Sequence, residues 1–364
     1  MSEIVKARNV LSVLRNHKQV ACDTYNFKRR CIEHSLYGVD IDPGAVEIAK
    51  LRLWLSLVVD EDDIKNIKPL PNLDYKVVCG NSLLGVEKNL FNLNSFNELE
   101  KLKPLFFNET NPTKKQEYKA KINDMIGKIT NGHREFDFEV YFSEVFHVKG
   151  GFDVVIANPP YVRVDKIPVQ QKYQLKKIFK TCVGKYDLYY LFIEKAINLL
   201  KDNGNLIFIT PNKYCAATSG NVLRQLILNK MGFCEIMSTS KLGVFEEASN
   251  YPIISILQKG KPNAQFIVRE ALGLDSLKYS TDNIYNIEHV KLCQFPEKII
   301  PINVSQNKVN IVIKLLEKYF PLRKYLSISE GLRIPPKYEQ ESEDSFRHCQ
   351  TIPIFKMVFS KKGY

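Results

Sequence analysis

The run Phe152-Asp153-Val154-Val155-Ile156-Ala157 stops against two consecutive prolines, Pro159 and Pro160, with Asn158 before them and Tyr161 after. Six residues rich in Val and Ile have the length and composition of a buried β-strand. Proline has no N–H to donate to a ladder and fixes φ, so the strand cannot pass through the pair. The chain must leave its sheet at a stiff corner. Open α/β sheets bind ligands outside the carboxyl ends of their strands. A corner at that place can aim the Asn158 side-chain oxygen and the Pro159 carbonyl at one amine and leave the Tyr161 ring to stack on a planar group. The plain alternative is a proline-stiffened loop without chemistry; the flanking Asn and Tyr at a strand end favour the chemical reading.

The surrounding pattern alternates strands and helices. Tyr37–Ile41 reads as a strand, Asp42 as a helix N-cap and Pro43 as the first helical residue. The helix that follows, Gly44 to about Val59, is apolar nearly all round and is expected to be buried against a sheet. Tyr75–Cys79 predicts the next strand, turned by Gly80-Asn81-Ser82. Residues 86–135 are rich in Asn, Lys and Glu and predict a helical insertion across the surface. A helix is expected from Asp187 to Lys201, closed by Asp202-Asn203-Gly204, then a strand Asn205–Thr210 stopped by Pro211. A helix from Ser219 to Lys230, strands near Cys234–Ser238 and Ile253–Gln258, and a helix Lys308–Tyr319 complete the series. This alternation predicts an α/β fold with a doubly wound, mostly parallel sheet. The expected organisation is a linker-like segment at 1–35, one domain at 36–260, and a linker with the opening of a second domain at 261–364.

Charge and cysteines narrow the function. Fifty-two basic against forty acidic residues give a net charge of +12, which suits a polyanionic partner such as nucleic acid. A merely soluble basic protein is the other reading of charge alone. The eight cysteines form no CxxC pair and the six histidines no HExxH spacing, so reduced thiols and no metal site are expected. The longest apolar stretch, Leu51 to Val59, includes Arg52 and is too short to span a bilayer. With no export-signal pattern either, a cytoplasmic location and no membrane partner are expected.

Four positions join the corner as candidates. Asp40 ends a strand ahead of a helix, where an acidic side chain in nucleotide-type sites accepts hydrogen bonds from ribose hydroxyls, with Ile41 packing beside the purine; it otherwise merely ends the strand. Asn81 is either an ordinary turn residue or an acceptor for an adenine amino group. Tyr251, ahead of the strand at 253–258, is either a second stacking ring or a core tyrosine. The tyrosines of 185–190 read as packing.

Asn158-Pro159-Pro160-Tyr161 behind an apolar strand resembles motif IV of the amino-methyltransferases that modify DNA bases with S-adenosyl-L-methionine (SAM). Residues 37–59, Cys79 to Gly85 and Gly184 to Asn212 narrow the resemblance to the adenine-specific methyltransferase part of type IIG restriction–modification proteins, over roughly residues 28–260. The resemblance implies a SAM-dependent methyltransferase fold followed by the start of a target-recognition domain near Gly331-Leu332-Arg333, double-stranded DNA as partner, and SAM as cofactor. It implies that Asp40, Ile41 and Asn81 bind SAM. Asn158, Pro159, Pro160 and Tyr161 are then catalytic, and Tyr161 and Tyr251 stack on a flipped adenine. Asn158 favours adenine over cytosine, whose enzymes more often carry Ser there. One family feature is missing: residues 1–36 contain no glycine, so the glycine-rich loop that wraps the methionine end of SAM is not found. The chain is accordingly expected to be an interior piece of a longer protein. Its other readings are a catalytically inactive DNA-binding remnant and a subunit that needs an N-terminal partner.

Overall fold

A computed structural model describes residues 24–59, 73–86, 93–109, 111–132, 135–239, 242, 251–260, 264–273, 283–302 and 304–319. The Gly331 segment and the residues before Thr24 lie outside these. The elements run α1 (Thr24–His34), β1 (Gly38–Asp40), α2 (Pro43–Val58), β2 (Val77–Cys79), α3 (Leu93–Asn108), α4 (Pro112–Ile129), α5 (Phe138–Tyr141), α6 (Ser143–Lys149), β3 (Phe152–Ala157), α7 (Val169–Ile178), α8 (Leu188–Leu199), β4 (Leu200–Pro211), α9 (Asn221–Lys230), β5 (Met231–Ser238), β6 (Pro252–Lys259), β7 (Gln265–Glu270), β8 (Asn283–Glu288), α10 (His289–Leu292) and α11 (Gln306–Lys318). Among the described residues no helix is long and apolar enough to cross a membrane.

The α/β class is as expected, and the sheet is mixed. Strands β1 and β2 pair in parallel as a separate two-stranded sheet. The other six have the order β3-β4-β6-β5-β7-β8. There β3–β4 and β5–β7 are parallel, while β4–β6, β5–β6 and β7–β8 are antiparallel. The main core lies on the six-stranded sheet, with α8 and α9 contributing Tyr189, Leu191, Ile197, Leu223 and Ile227 against Phe208, Phe233 and Leu257.

Several expectations need correction. Helix α2 is not buried all round: Val46 and Leu57 are buried, but Ile48, Leu51 and Leu55 are about half exposed. The two-stranded sheet is too narrow to cover an entirely apolar helix. Strand β3 is likewise not wholly buried. It is an end strand, and because side chains alternate between faces, Val155 and Ala157 reach the core while Val154 and Ile156 stay exposed. Helix α8 ends at Leu199, and Leu200 already pairs with Phe152. The pairing resumes at Val154 with Asn205, so residues 201–204 bulge out of β4. Within the Asp202-Asn203-Gly204 stretch expected to close the helix, the positive φ, 61°, falls on Asn203. Gly204 is needed for closeness instead: a Cβ would lie 2.9 Å from the Lys201 and Phe152 carbonyl oxygens.

The domain limits shift too. Thr24–His34 is a helix whose Tyr25 and Ile32 pack with Leu57 and Leu73, so this part of the expected linker belongs to the packed body. The insertion is also more than a surface cover, because α3 and α4 close a small core of Leu99, Phe106, Ile122 and Ile126 around Tyr75. Buried Lys103 fastens α3 to the α5–α6 corner by donating to the carbonyls of Val140 (3.1 Å) and Tyr141. Beyond residue 260, β7 and β8 extend the same sheet and bury Phe266, Val268, Tyr285 and Ile287 in its core.

Lys76, next to β2, is only 4% exposed and its ammonium stands 4.0 Å from the centre of the Tyr37 ring. Burial lowers its pKa to about 8. Unfolded lysine titrates near 10.4, so the unfolded chain holds more protons between these values and stability rises with pH through that window. The buried Cys215 thiol, which burial pushes up to about 12, and the buried Tyr37 and Tyr75, whose pKa values burial also raises, act in the opposite sense at higher pH. The contribution of the lysine is therefore a difference: from pH 7 to 9.5 the urea midpoint of Lys76→Met is expected to rise less, or fall more, than that of the wild type. Identical pH dependence of the two midpoints would contradict it.

Candidate active site

The candidate residues lie at two separate strand ends. At the first, β1 and β2 run side by side, so Asp40 is registered with Cys79 and the Asp40 carbonyl accepts from the Gly80 amide at 2.8 Å. This ladder brings Asp40, Ile41 and Asn81 to one edge. The Asp40 carboxylate is exposed and takes the Asp42 amide at 2.9 Å. Asp42 caps α2 through the Gly44 amide at 2.8 Å, the structural role expected of it. Ile41 presents a bare apolar surface, 70% exposed, beside the carboxylate. Gly80 cannot carry a side chain, because a Cβ would sit 2.4 Å from the Phe136 ring. Asn81 shapes the turn: its Oδ1 accepts from the Leu83 and Leu84 amides at 3.0 and 3.3 Å. Leu83 is buried in the main core, which ties this turn to the body that carries the corner.

At the second end, Ala157 is registered with Phe208 of β4, and the chain then leaves the sheet through Asn158-Pro159-Pro160-Tyr161. Asn158 and Pro160 are exposed and Pro159 is buried, so the corner is anchored by one proline with the amide outward. Tyr161 is half-buried. Its hydroxyl donates to the Ile209 carbonyl at 3.2 Å, and its ring meets the Tyr189 ring edge to face, centroids 6.2 Å apart. Burial raises its pKa, so it stays a neutral phenol at physiological pH. Tyr251 is 56% exposed, and its carbonyl accepts from the Asn212 amide at 2.9 Å. Since Pro252 pairs with Pro211, Tyr251 and the Tyr161 corner flank the same carboxyl end of β4.

The tyrosines of 185–190 are packing residues, as expected: Tyr186, Tyr189 and Tyr190 are buried, and burial pushes the Tyr186 phenol up to about 12. Sequence reasoning missed the pair formed by buried Asp187 and Lys213, 2.8 Å apart beside the corner. Asp187, expected as the first residue of a helix, is its N-cap residue in the structure, but its carboxylate makes no cap bond and turns to the lysine instead. Nothing in the local pattern signals this, because Lys213 is brought by the end of β4.

An exposed carboxylate beside an apolar side chain fits a ribose diol with an attached purine, so the β1–β2 edge suits the nucleoside half of SAM. Residues 34–245, more than half of the chain, match the profile of the Eco57I restriction-modification methylase family. The chain belongs to that family. SAM is the methyl donor that a methylase of this family calls for, and the Asp40–Ile41 edge would hold its nucleoside half. The chain is 25% identical over 287 residues to RM.Eco57I of Escherichia coli, a type II restriction enzyme and methyltransferase, covering 73% of this chain and 24% of that protein. Over 116 residues it is 36% identical to the type II methyltransferase M.HincII of Haemophilus influenzae, covering 31% of this chain and 23% of the relative. Among solved structures, the nuclease-deleted type ISP restriction–modification enzyme LlaGI, in complex with a DNA substrate mimic, matches with a TM-score of 0.46 and 15% identity over 83% of this chain and 24% of that one. The Eco57I-type chain spans about a quarter of the length of the curated relatives it matches.

Proposed function

We propose that this chain carries the methyl-transfer centre of a site-specific DNA methyltransferase of a restriction–modification protein, acting on the 6-amino group of adenine. The observation that carries the reading is the corner itself: an exposed Asn158 locked between an end strand and a buried proline, with an aromatic ring fixed two residues beyond Pro159. Adenine's amine is inaccessible within the duplex, so the base must be extruded before reaction. The Asn158 side-chain oxygen and the Pro159 carbonyl then accept the two amino hydrogens. Those bonds would turn the nitrogen lone pair toward the methyl group that SAM would supply; the carbon leaves sulfur as it bonds to nitrogen, and the surplus amine proton is released to water. Tyr161 stacks on the base, and the tether of its hydroxyl to Ile209 keeps the ring in place. Tyr251 offers a second face. Asp40 receives the ribose hydroxyls and Ile41 the purine of SAM, with the Asn81 turn bounding that side. Catalysis is positioning plus electrostatics at the amine.

Titration of SAM by calorimetry tests this reading. The chain binds SAM, and Asp40→Ala weakens binding by about tenfold to a hundredfold, the effect of losing hydrogen bonds to a charged acceptor. Binding unaffected by Asp40→Ala overturns the assignment of the edge. A chain that binds DNA but no SAM, even with a glycine-loop-bearing N-terminal polypeptide added in trans, is the inactive remnant instead.

A further inference from the structure

Between Tyr161 and Asp187 the chain makes an excursion, residues 162–186, with seven basic residues against one acidic, half of the net charge of the whole chain. Both ends of the excursion are pinned to the corner. The Leu188 amide donates to the Val162 carbonyl at 2.7 Å, and the Val164 amide to the Tyr186 carbonyl at 3.0 Å. Its inner side is anchored by Ile167, Leu175 and Phe179 in the main core. The Glu194 carboxylate of α8, itself buried, takes the Lys180 amide at 3.0 Å, the Thr181 amide at 2.9 Å and the Thr181 hydroxyl at 2.7 Å. This buried acid is thus spent on backbone and side-chain donors, and buried Asp187 on Lys213. Lys166, Lys176, Lys177, Lys180 and Lys185 are exposed on the other side, and among the described residues no carboxylate pairs with them. Tyr173 is 65% exposed on the same helix α7, with the Lys177 ammonium 4.5 Å from its ring centre.

We infer that this excursion is a phosphate clamp that holds the duplex backbone flanking the extruded adenine. A pinned surface that starts at the corner and carries seven basic residues against the single acid Asp165 fits a polyanion. Helix α7, ten residues long, measures about 15 Å. That length runs beside about four base steps at roughly 3.4 Å per step along one strand. The clamp supplies affinity and register, with no base reading of its own. The inference rests on the methyltransferase reading for the identity of the polyanion.

The test compares the full chain with Lys176→Gln/Lys177→Gln and with a charge-matched control on the insertion, Lys114→Gln/Lys121→Gln. Binding to a 40-base-pair duplex of arbitrary sequence is followed by fluorescence anisotropy across salt concentrations. Each lost phosphate contact reduces the slope of log K against log salt by about 0.9, so the α7 pair is expected to lower it by about 2 while the control leaves it unchanged. Equal slopes for both variants, or no DNA binding by the wild-type chain, overturn the clamp. SAM affinity is read on the same preparations. Intact SAM binding with an unaltered slope rejects the clamp alone, whereas a lowered slope without SAM binding, even with the N-terminal polypeptide added in trans, rejects the methyltransferase reading and leaves a nucleic-acid clamp.

Discussion

Replacing Asn158 by Ala is expected to lower methyl transfer to DNA by at least about a hundredfold, the loss seen when one positioned hydrogen-bonding group is removed from a developing charge. The adenine amine is a poor nucleophile because its lone pair is delocalised into the ring. Two acceptors on its hydrogens favour the pyramidal form in which the lone pair is free. Alanine removes one of them and leaves the other, the Pro159 carbonyl, in place. The corner itself survives, because Pro159 is buried and Tyr161 is held by Ile209 and Tyr189. Binding of SAM and of DNA should therefore change little, and the loss should fall on the chemical step. Incorporation of tritiated methyl groups from SAM into unmethylated genomic DNA measures it. Incorporation that survives the substitution would sink the mechanism. Asn158→Asp restores an acceptor oxygen and is expected to recover part of the lost rate.

The second large effect is on stability. Gly150 ends α6 in the left-handed conformation, and Gly151 follows with φ of +133°, leading into β3. A Cβ on Gly151 would lie 2.6 Å from the Lys201 amide nitrogen and 2.7 Å from the Leu199 carbonyl oxygen. These are backbone atoms at the junction of α8 and β4, so they cannot swing aside. Gly151→Ala therefore combines conformational strain with overpacking and is expected to cost about 4 kcal/mol. Against a typical domain stability of about 5–15 kcal/mol this is a large fraction. Gly132→Ala is the control: φ is +69° but nothing lies within 4 Å, so only about 1 kcal/mol is expected. Urea midpoints decide between them, and equal midpoints for the two variants would refute the argument.

What the sequence made legible were features with local causes. The Pro-Pro corner, the Asp42 cap with Pro43 behind it, and the strand ends at Asp40 and Cys79 all follow from residue types within a few positions. The β1–β2 pairing and the burial of Tyr186, Tyr189 and Tyr190 agree with that reading. Illegible were features that depend on what packs alongside. The exposure of Ile48, Leu51 and Leu55 is decided by the width of a two-stranded sheet, which the pattern of α2 does not encode. The antiparallel seat of β6 between β4 and β5 is fixed by topology, as apolar runs look alike in either direction. The Asp187–Lys213 pair joins residues that only the sheet brings together. The oxygen of Asn81 serves its own turn, a role that Asn in a Gly-Asn-Ser stretch always leaves open.

Asp40 and Asn158 stand on two different sheets, and among the described strands no ladder links β1 to β3. Besides Leu83, the joint between the sheets includes a cluster of rings. Tyr37, just before β1, meets Phe152, the first residue of β3, with centroids 5.6 Å apart, and both rings rest on Phe142. Backbone ladders set distances through rows of directional bonds, whereas edge-to-face rings allow small sliding at low cost. On the proposed assignment of Asp40 and Asn158, the spacing between methyl donor and acceptor amine rests on this ring contact as well as on backbone, and substitutions in those three rings are expected to retune the alignment of the reactants without touching either one.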